Sequence, residues 1–292
     1  MAKLDLSSII DDVKKGFKSK EHLADKVGTN LVPLSDSDFI KLGSWWTEPT
    51  KLPGIPFGRL TTIAGNSDSG KTSVAIQTIK AALEQGCGVI YCETENKTTN
   101  QDFIDWGVDP SQIILISSNI AEEVYELVFS AWDKFKEKYS ETPLLVVIDS
   151  IGNLISLRDK DLDMLEQSAQ PGGKGKANRL GLAKAIAKMS EDNTAFLLIS
   201  YTYENMGSPG STTAGGKALH LFSSLMFQTQ RKGWLEKTVK GEKIRFGAQV
   251  VFTLQKNHLN KSDMGEKKIT FNITKDGIEY VGSALKKDED DD

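Results

Sequence analysis

The segment Gly65-Asn-Ser-Asp-Ser-Gly70-Lys71-Thr72 has the residue types and spacing of a phosphate cradle, G-x-x-x-x-G-K-[ST], and is followed by Ser73. Gly65 and Gly70 let the backbone curl so that successive N–H groups, those of Asn66, Ser67, Asp68 and Ser69 among them, face a phosphate. A helix starting near Lys71 adds its positive N-terminal end. The Lys71 ammonium suits β- and γ-phosphate oxygens, and the Thr72 hydroxyl suits Mg²⁺. Such a loop needs an acidic partner at a nearby strand end. Leu144-Leu-Val-Val-Ile-Asp149 supplies one: an apolar strand ends in a carboxylate that would stand beside the cation, although an aspartate there can also cap the next helix. Hydrolysis further requires a group that aligns or activates water. Glu93 and Glu95 both follow the apolar run Gly88 to Cys92, and the pattern alone does not choose between them.

Positioning these groups takes alternating strands and helices. Arg59 to Ala64, Gly88 to Cys92, Ile113 to Ile116, Leu144 to Ile148 and Phe196 to Ile199 read as strands. Between them Thr72 to Glu84, Asn100 to Trp106, Ala121 to Tyr139 (Val124, Leu127, Val128, Trp132 and Phe135 on one side) and Asn178 to Met189 (Leu180, Leu182, Ala183, Ile186) read as helices. Three more strands follow at Leu225 to Gln230, Gln249 to Gln255 and Thr270 to Ile273. This alternation predicts an α/β fold with a mostly parallel central sheet. Ahead of it, Leu6, Ile9, Ile10, Val13 and Phe17 mark one face of a short amphipathic helix, and Lys20 to Val27 a second. The expected organisation is an N-terminal helical segment with linker over residues 1–50, a core over 51–283, and an acidic tail over 284–292.

Two stretches stand out as loops. Ser200 to Gly216, SYTYENMGSPGSTTAGG, follows the apolar run AFLLI and has almost nothing to bury; loops of that length are functional or disordered. Pro171 to Arg179 is Gly-rich, with Lys174, Lys176 and Arg179. Cys87 and Cys92 flank one short strand, point to opposite faces and read as buried small hydrophobes. The formal net charge of −4 argues against indiscriminate nucleic-acid binding, but between Arg231 and Lys268 ten Lys/Arg stand against four Asp/Glu. No apolar run is long enough to span a bilayer, and no signal-peptide core is present, so a cytoplasmic location and no membrane partner are expected.

The segments GRLTTIAGNSDSGKT, CGVIYCETEN, WGVDPSQI, VVIDSIGNL, LLISYTYE, TTAGGKAL and LQKNH occur in an order that resembles the RecA-type recombinases, most of all the tailed-phage recombinases of the UvsX type. The resemblance runs from about Leu52 to Tyr280. It implies a RecA-like P-loop ATPase core using ATP and Mg²⁺, with Thr72 and Asp149 at the metal and Gly65 to Ser73 around the phosphates. It places Glu93 as the activator of the attacking water. It puts Tyr201 at the γ-phosphate sensor, where bacterial members carry Gln, with Thr202 and Glu204 as alternatives. It assigns Lys256, with His258 in place of a second basic residue, to the neighbouring subunit's ATP. It implies two DNA-binding loops, one with Lys174, Lys176 and Arg179, the other from Asn205 to Gly216 with Gly207, Gly210, Thr212, Thr213 and Gly215.

The implied function is an ATP-dependent DNA recombinase that forms helical filaments on single-stranded DNA and promotes pairing and strand exchange, its N-terminal helix docking on the next subunit. Duplex DNA, a single-strand-binding protein and loader proteins are further implied partners. Bacterial members add a C-terminal domain; here the core is expected to stop near Val281, before SALKKDEDDD. A ring-forming hexameric helicase of the same core fold and a nucleotide-gated accessory protein are the other classes this pattern admits.

Overall fold

The structure, a computed structural model, describes residues 7–17, 34–161, 173–189, 192–204, 211–259 and 268–282. Met1–Ser35 forms one compact unit and Asp36–Asp292 another. In the first, α1 (Ser7–Gly16) ends in Lys14 and Lys15, which complement the helix dipole, and Ile9 and Val13, one turn apart, are exposed. The second predicted helix, Lys20 to Val27, and the acidic tail lie outside the described residues.

In the second unit the run LLVVID forms β6 (Leu144–Asp149), buried at every position as its unbroken apolar pattern requires. It lies between β4 (Gly88–Glu93) and β7 (Thr194–Glu204), with β3 (Leu60–Gly65) beyond β7 and β5 (Ile114–Ser117) at the edge. β3 is also parallel to β9 (Ser223–Val239), so every pairing from β9 to β5 is parallel. Beyond β9 the sheet turns antiparallel through β10 (Glu242–Asn257), β11 (Lys268–Thr274) and β12 (Gly277–Gly282). A separate small ribbon pairs β1 (Phe39–Lys41) with β2 (Gly54–Pro56), and α2 (Ser44–Thr50) bridges them.

Strand alternation sends neighbouring residues to opposite faces, and each face is covered. On one, α3 (Lys71–Glu84) packs Val74 and Ile79 among Ile63, Tyr91, Leu197, Phe227, Phe252 and Trp46. On the other, α5 (Ala121–Lys138) and α7 (Gly173–Met189) bury Val128, Trp132 and Leu182 against Ile90, Ile148, Phe196 and Leu198. Each such side chain contributes about 1.5–3 kcal/mol by leaving water. Cys87 belongs to the first cluster and Cys92 to the second, and both are free thiols, as the spacing anticipates. The remaining helices are α4 (Asn100–Asp105), α6 (Leu157–Asp161) and α8 (Lys217–Phe222).

Several sequence expectations need correction. The apolar stripe of α5 omits Leu127, which is exposed; Tyr125 is buried instead. In α7 Leu180 and Ala183 face outward, and the buried stripe is Asn178, Gly181, Leu182, Ala185 and Met189. That helix begins at Gly173, so the basic end of the expected loop (Lys174, Lys176, Arg179) is helical: Asn178 and Gly181, facing Tyr125, extend the packed stripe toward it. The stretch from Ser200 is not a loop throughout. β7 continues to Glu204 because Tyr201, Thr202 and Tyr203 are strand formers, and it pairs with β8 (Ser211–Thr213) in the register Thr202↔Thr213. The C-terminal strands are longer than predicted and include β12, a short GIEYVG run between two glycines that the prediction passed over. β9 and β10 form a long ribbon closed at Lys240-Gly241, both with positive φ, the conformation a two-residue hairpin turn demands.

Candidate functional site

β3 delivers Gly65 to the carboxyl edge of the sheet, where the chain must turn sharply before α3. Gly70 is left-handed (φ 81°), and a Cβ there would meet Ile273. Asp68, also left-handed (φ 54°), tops the loop and pairs with Arg231 of β9 at 3.1 Å. The Ser69 hydroxyl donates to the Asn66 carbonyl (2.7 Å) and lies 2.6 Å from that of Thr229 on β9. A Cβ on Gly65 would overlap both the hydroxyl and the carbonyl of Thr229. Gly65→Ala is therefore expected to push β3 from β9 and cost about 1–3 kcal/mol of stability, read as a lower urea midpoint; an unchanged midpoint would show that this junction yields freely.

The loop curls around the Lys71 ammonium. The Lys71 Nζ donates to the Asn66 carbonyl at 2.7 Å. Burial lowers its pKa, against the attraction of Asp149, Glu95 and Asp68. The Thr72 hydroxyl donates to Asp149 Oδ2 at 2.7 Å. Asp149, 7% exposed, has its pKa raised by burial, which the Thr72 and Tyr91 hydroxyls and Lys71 oppose. A hydroxyl beside a carboxylate is an oxygen donor pair that suits Mg²⁺. No cluster of three or more His, Cys, Asp or Glu capable of holding a metal is found among the described residues, so further ligands there would come from phosphate or water. The cradle of Gly65 to Ser73, with its helix N-terminus, fits a polyphosphate carrying that cation; when bound, the cation would neutralise charge on the phosphate oxygens.

β4 and β6 end in register, Glu93 opposite Asp149. A clasp ties their ends: Thr94 N to the Asp149 carbonyl (3.0 Å), Ser150 N to Thr94 Oγ1 (2.8 Å), and Thr94 Oγ1 to the Ser150 carbonyl (2.9 Å). The two glutamates then diverge. The Glu93 carboxylate accepts backbone N–H bonds from Glu95 (3.2 Å), Asn96 (2.6 Å) and Lys97 (3.0 Å). Glu95 accepts the Ser150 hydroxyl at 2.7 Å and pairs with Lys97. Burial raises the Glu95 pKa, but bonds from Lys97 and Ser150 outweigh it, so the net shift is downward.

The other expected residues fall in different surroundings. Tyr201 is opposite Gly65 in the β3–β7 register, but its ring packs on Gly152, where a Cβ would lie 2.7 Å from it. Its neighbour Thr202 makes the contact with the cradle, donating to Asn66 Oδ1 at 2.9 Å. The Lys174 ammonium turns inward to the Gly152 carbonyl, and burial lowers its pKa; Lys176 and Arg179 are exposed. Asn205, Gly207 and Gly210 lie outside the described residues. Thr212, Thr213 and Gly216 line a cavity of about 480 Å³ with Tyr203, Lys217 and His220, and the adjacent Gly215 is left-handed (φ 95°). Lys256 donates to the His220 carbonyl (2.7 Å) within the same chain, and the His258 backbone N–H to that of Ser224 (2.9 Å).

Sequence reasoning missed Tyr91, whose hydroxyl donates to Asp149 Oδ2 (3.2 Å), and the bonds of Asp68 and Ser69 to β9. Tyr91 was hidden inside an apolar strand; only its polar tip, one residue from the strand's end pair, hinted at it. Sequence reasoning also treated the basic excess after Arg231 as undivided. Six of its ten Lys/Arg, those from Arg231 to Arg245, sit on the β9–β10 ribbon, where the Arg231 and Arg245 guanidinium groups lie over Trp234 (4.2 and 5.0 Å) and Lys237 over Phe246 (5.7 Å).

Sheet order, cradle and acidic strand end together define a P-loop α/β protein. The RecA N-terminal domain model matches residues 30–275, and the chain belongs to that family. It is 26% identical over 200 residues to Protein RecA of Malacoplasma penetrans, covering 67% of this chain and 58% of that protein. It is 28% identical over 209 residues to Protein RecA of Fusobacterium nucleatum (70% and 52%) and 28% over 187 to that of Aquifex aeolicus (63% and 52%). The chain thus spans about half the length of the curated relatives it matches. No helix among the described residues is long and apolar enough to cross a membrane.

Proposed function

We propose that this chain is an ATP-dependent DNA recombinase of the tailed-phage UvsX type, hydrolysing ATP to ADP and phosphate while polymerised as a helical filament on single-stranded DNA. The observation that carries this reading is the bond from Thr202 to Asn66. It joins the phosphate cradle to β7, which leads directly into the Gly-rich segment from Asn205 to Gly216, so the cradle touches the strand that feeds the segment. Lys71 and the loop N–H groups hold the phosphates, and Thr72 and Asp149 hold the cation. Glu93, at the strand end opposite Asp149, takes a proton from water after leaving its three backbone donors. Thr202, with Tyr201 packed behind it, reports the cradle's state to the segment.

The DNA side is supported by backbone N–H groups in that segment, by Lys176 and Arg179, and by the ribbon from Arg231 to Arg245, with six Lys/Arg against two Asp/Glu and exposed Trp234. Lys174, turned inward, joins the DNA face only if its bond to Gly152 opens. Lys256 and His258 serve the neighbour's nucleotide in the filament, and α1 docks on the adjacent subunit. Single-strand-binding and loader proteins, duplex DNA and a cytoplasmic location complete the reading. Electron microscopy of the protein with single-stranded DNA and a slowly hydrolysed ATP analogue tests it: helical filaments are expected, and closed six-membered rings would replace it with a helicase.

A further inference from the structure

Tyr91 is 1% exposed, yet it carries a hydroxyl into the site from inside β4. Its ring stands edge-on to Phe103 (centroids 5.2 Å, planes at 90°), which fixes its direction. The hydroxyl donates to Asp149 Oδ2 at 3.2 Å and lies 3.2 Å from Thr98 Oγ1. With its one proton committed to Asp149, it accepts from Thr98. Thr72 donates to the same carboxylate oxygen, at 2.7 Å. Both hydroxyls thus converge on Oδ2, and no described hydrogen bond goes to Oδ1.

A carboxylate held through one oxygen by donors from two elements is fixed in rotation and offers the other oxygen to a cation. The Thr72 donor belongs to the cradle itself. The Tyr91 donor belongs to the sheet and is independent of what the cradle holds. An ordinary phenol keeps its proton until about pH 10, so near neutral pH this hydroxyl is a donor.

We propose that Tyr91 is a positioning residue for the divalent cation: its hydroxyl fixes the Asp149 carboxylate in the orientation that binds the metal, and its link to Thr98 holds the loop carrying Glu93 and Glu95 in step with it. This rests on the nucleotide reading above and adds a residue that touches neither nucleotide nor metal. In this geometry Tyr91 affects metal-dependent binding and not the cradle's hold on the phosphates.

The variant that isolates the hydroxyl is Tyr91→Phe, which keeps the ring and its contact with Phe103. Binding of a fluorescent ATP analogue is followed as Mg²⁺ is titrated, and again with Mg²⁺ removed by chelator. The Mg²⁺ concentration for half-maximal binding is expected to rise about tenfold, the usual scale for losing an outer-shell partner, with affinity under chelator unchanged. Mn²⁺ affinity of the nucleotide complex, read by electron paramagnetic resonance, should weaken in parallel, and excess Mg²⁺ should restore turnover. Thr98→Val, which keeps the Tyr91–Asp149 bond, should shift the Mg²⁺ midpoint less than Tyr91→Phe does.

A lowered thermal midpoint for Tyr91→Phe with an unchanged Mg²⁺ midpoint would overturn the proposal and leave a structural hydroxyl. Equal loss of affinity with and without metal would overturn it too. If the wild-type protein bound the analogue with no dependence on Mg²⁺, the nucleotide reading would fall, and this proposal with it.

Discussion

Lys71→Ala is expected to lower the rate of ATP hydrolysis by about 10²–10³-fold, the scale for removing one preorganised charge from a water-poor site. The ammonium sits inside the cradle, held by the Asn66 carbonyl, and burial lowers its pKa; the nearby carboxylates of Asp149, Glu95 and Asp68 favour its charged form. Developing charge on a transferred phosphoryl group would find that cation already in place. Alanine leaves the backbone N–H groups and the Thr72–Asp149 pair intact, so weakened nucleotide binding should persist while turnover collapses. The check is steady-state phosphate release alongside equilibrium nucleotide binding. Turnover within about threefold of wild type would mean that Lys71 does not face the reacting phosphate.

Glu93→Gln and Glu95→Gln are expected to separate sharply. The first should cut hydrolysis by about 10²–10⁴-fold, the range for losing a general base; the second should cut it by less than about tenfold. Glu93 stands at the strand end opposite Asp149, held by three backbone N–H groups that are shared between its two carboxylate oxygens; glutamine's one carbonyl oxygen keeps only part of that hold. Glu95 lies near enough to Lys71 and Asp149 to act on their charge, but its carboxylate is committed to Ser150 and Lys97. Glu93→Gln should retain nucleotide and DNA, so bound complexes should outlive those of wild type. Single-turnover hydrolysis measures both variants. A larger loss for Glu95→Gln would move the base to that residue and leave Glu93 as the turn's anchor.

The parallel half of the fold was legible in the sequence because its signals are local and strong. LLVVID, short and rich in β-branched residues, reads as a buried strand, and GNSDSGKT carries its own turn chemistry. The antiparallel half was less so. β9 and β10 lose their apolar pattern past Arg231, since that part of the ribbon stands in solvent on both faces, and β12 has one exposed face throughout. The cradle, Asp149 at a strand end and a pair of glutamates after β4 could be read from motif and order; the choice between Glu93 and Glu95 could not. What could not be read is which way side chains turn once strands are packed. Tyr201 and Thr202 alternate across β7, and only the register with β3 decides that threonine faces Asn66. Lys174 read as one charge of a Gly-rich loop, but it stands in the helix that Gly173 opens, and its ammonium reaches the Gly152 carbonyl. Tyr91 read as core, which it is, except for its oxygen.

The most direct measurement is the steady-state rate of ATP hydrolysis with and without single-stranded DNA, at varied salt. A recombinase whose cradle is bonded to the strand leading into its DNA segment should hydrolyse ATP faster when single-stranded DNA is present. The stimulation should fade as salt weakens the contacts of Lys176, Arg179 and the β9–β10 ribbon. A rate that single-stranded DNA leaves unchanged at low salt would contradict the account.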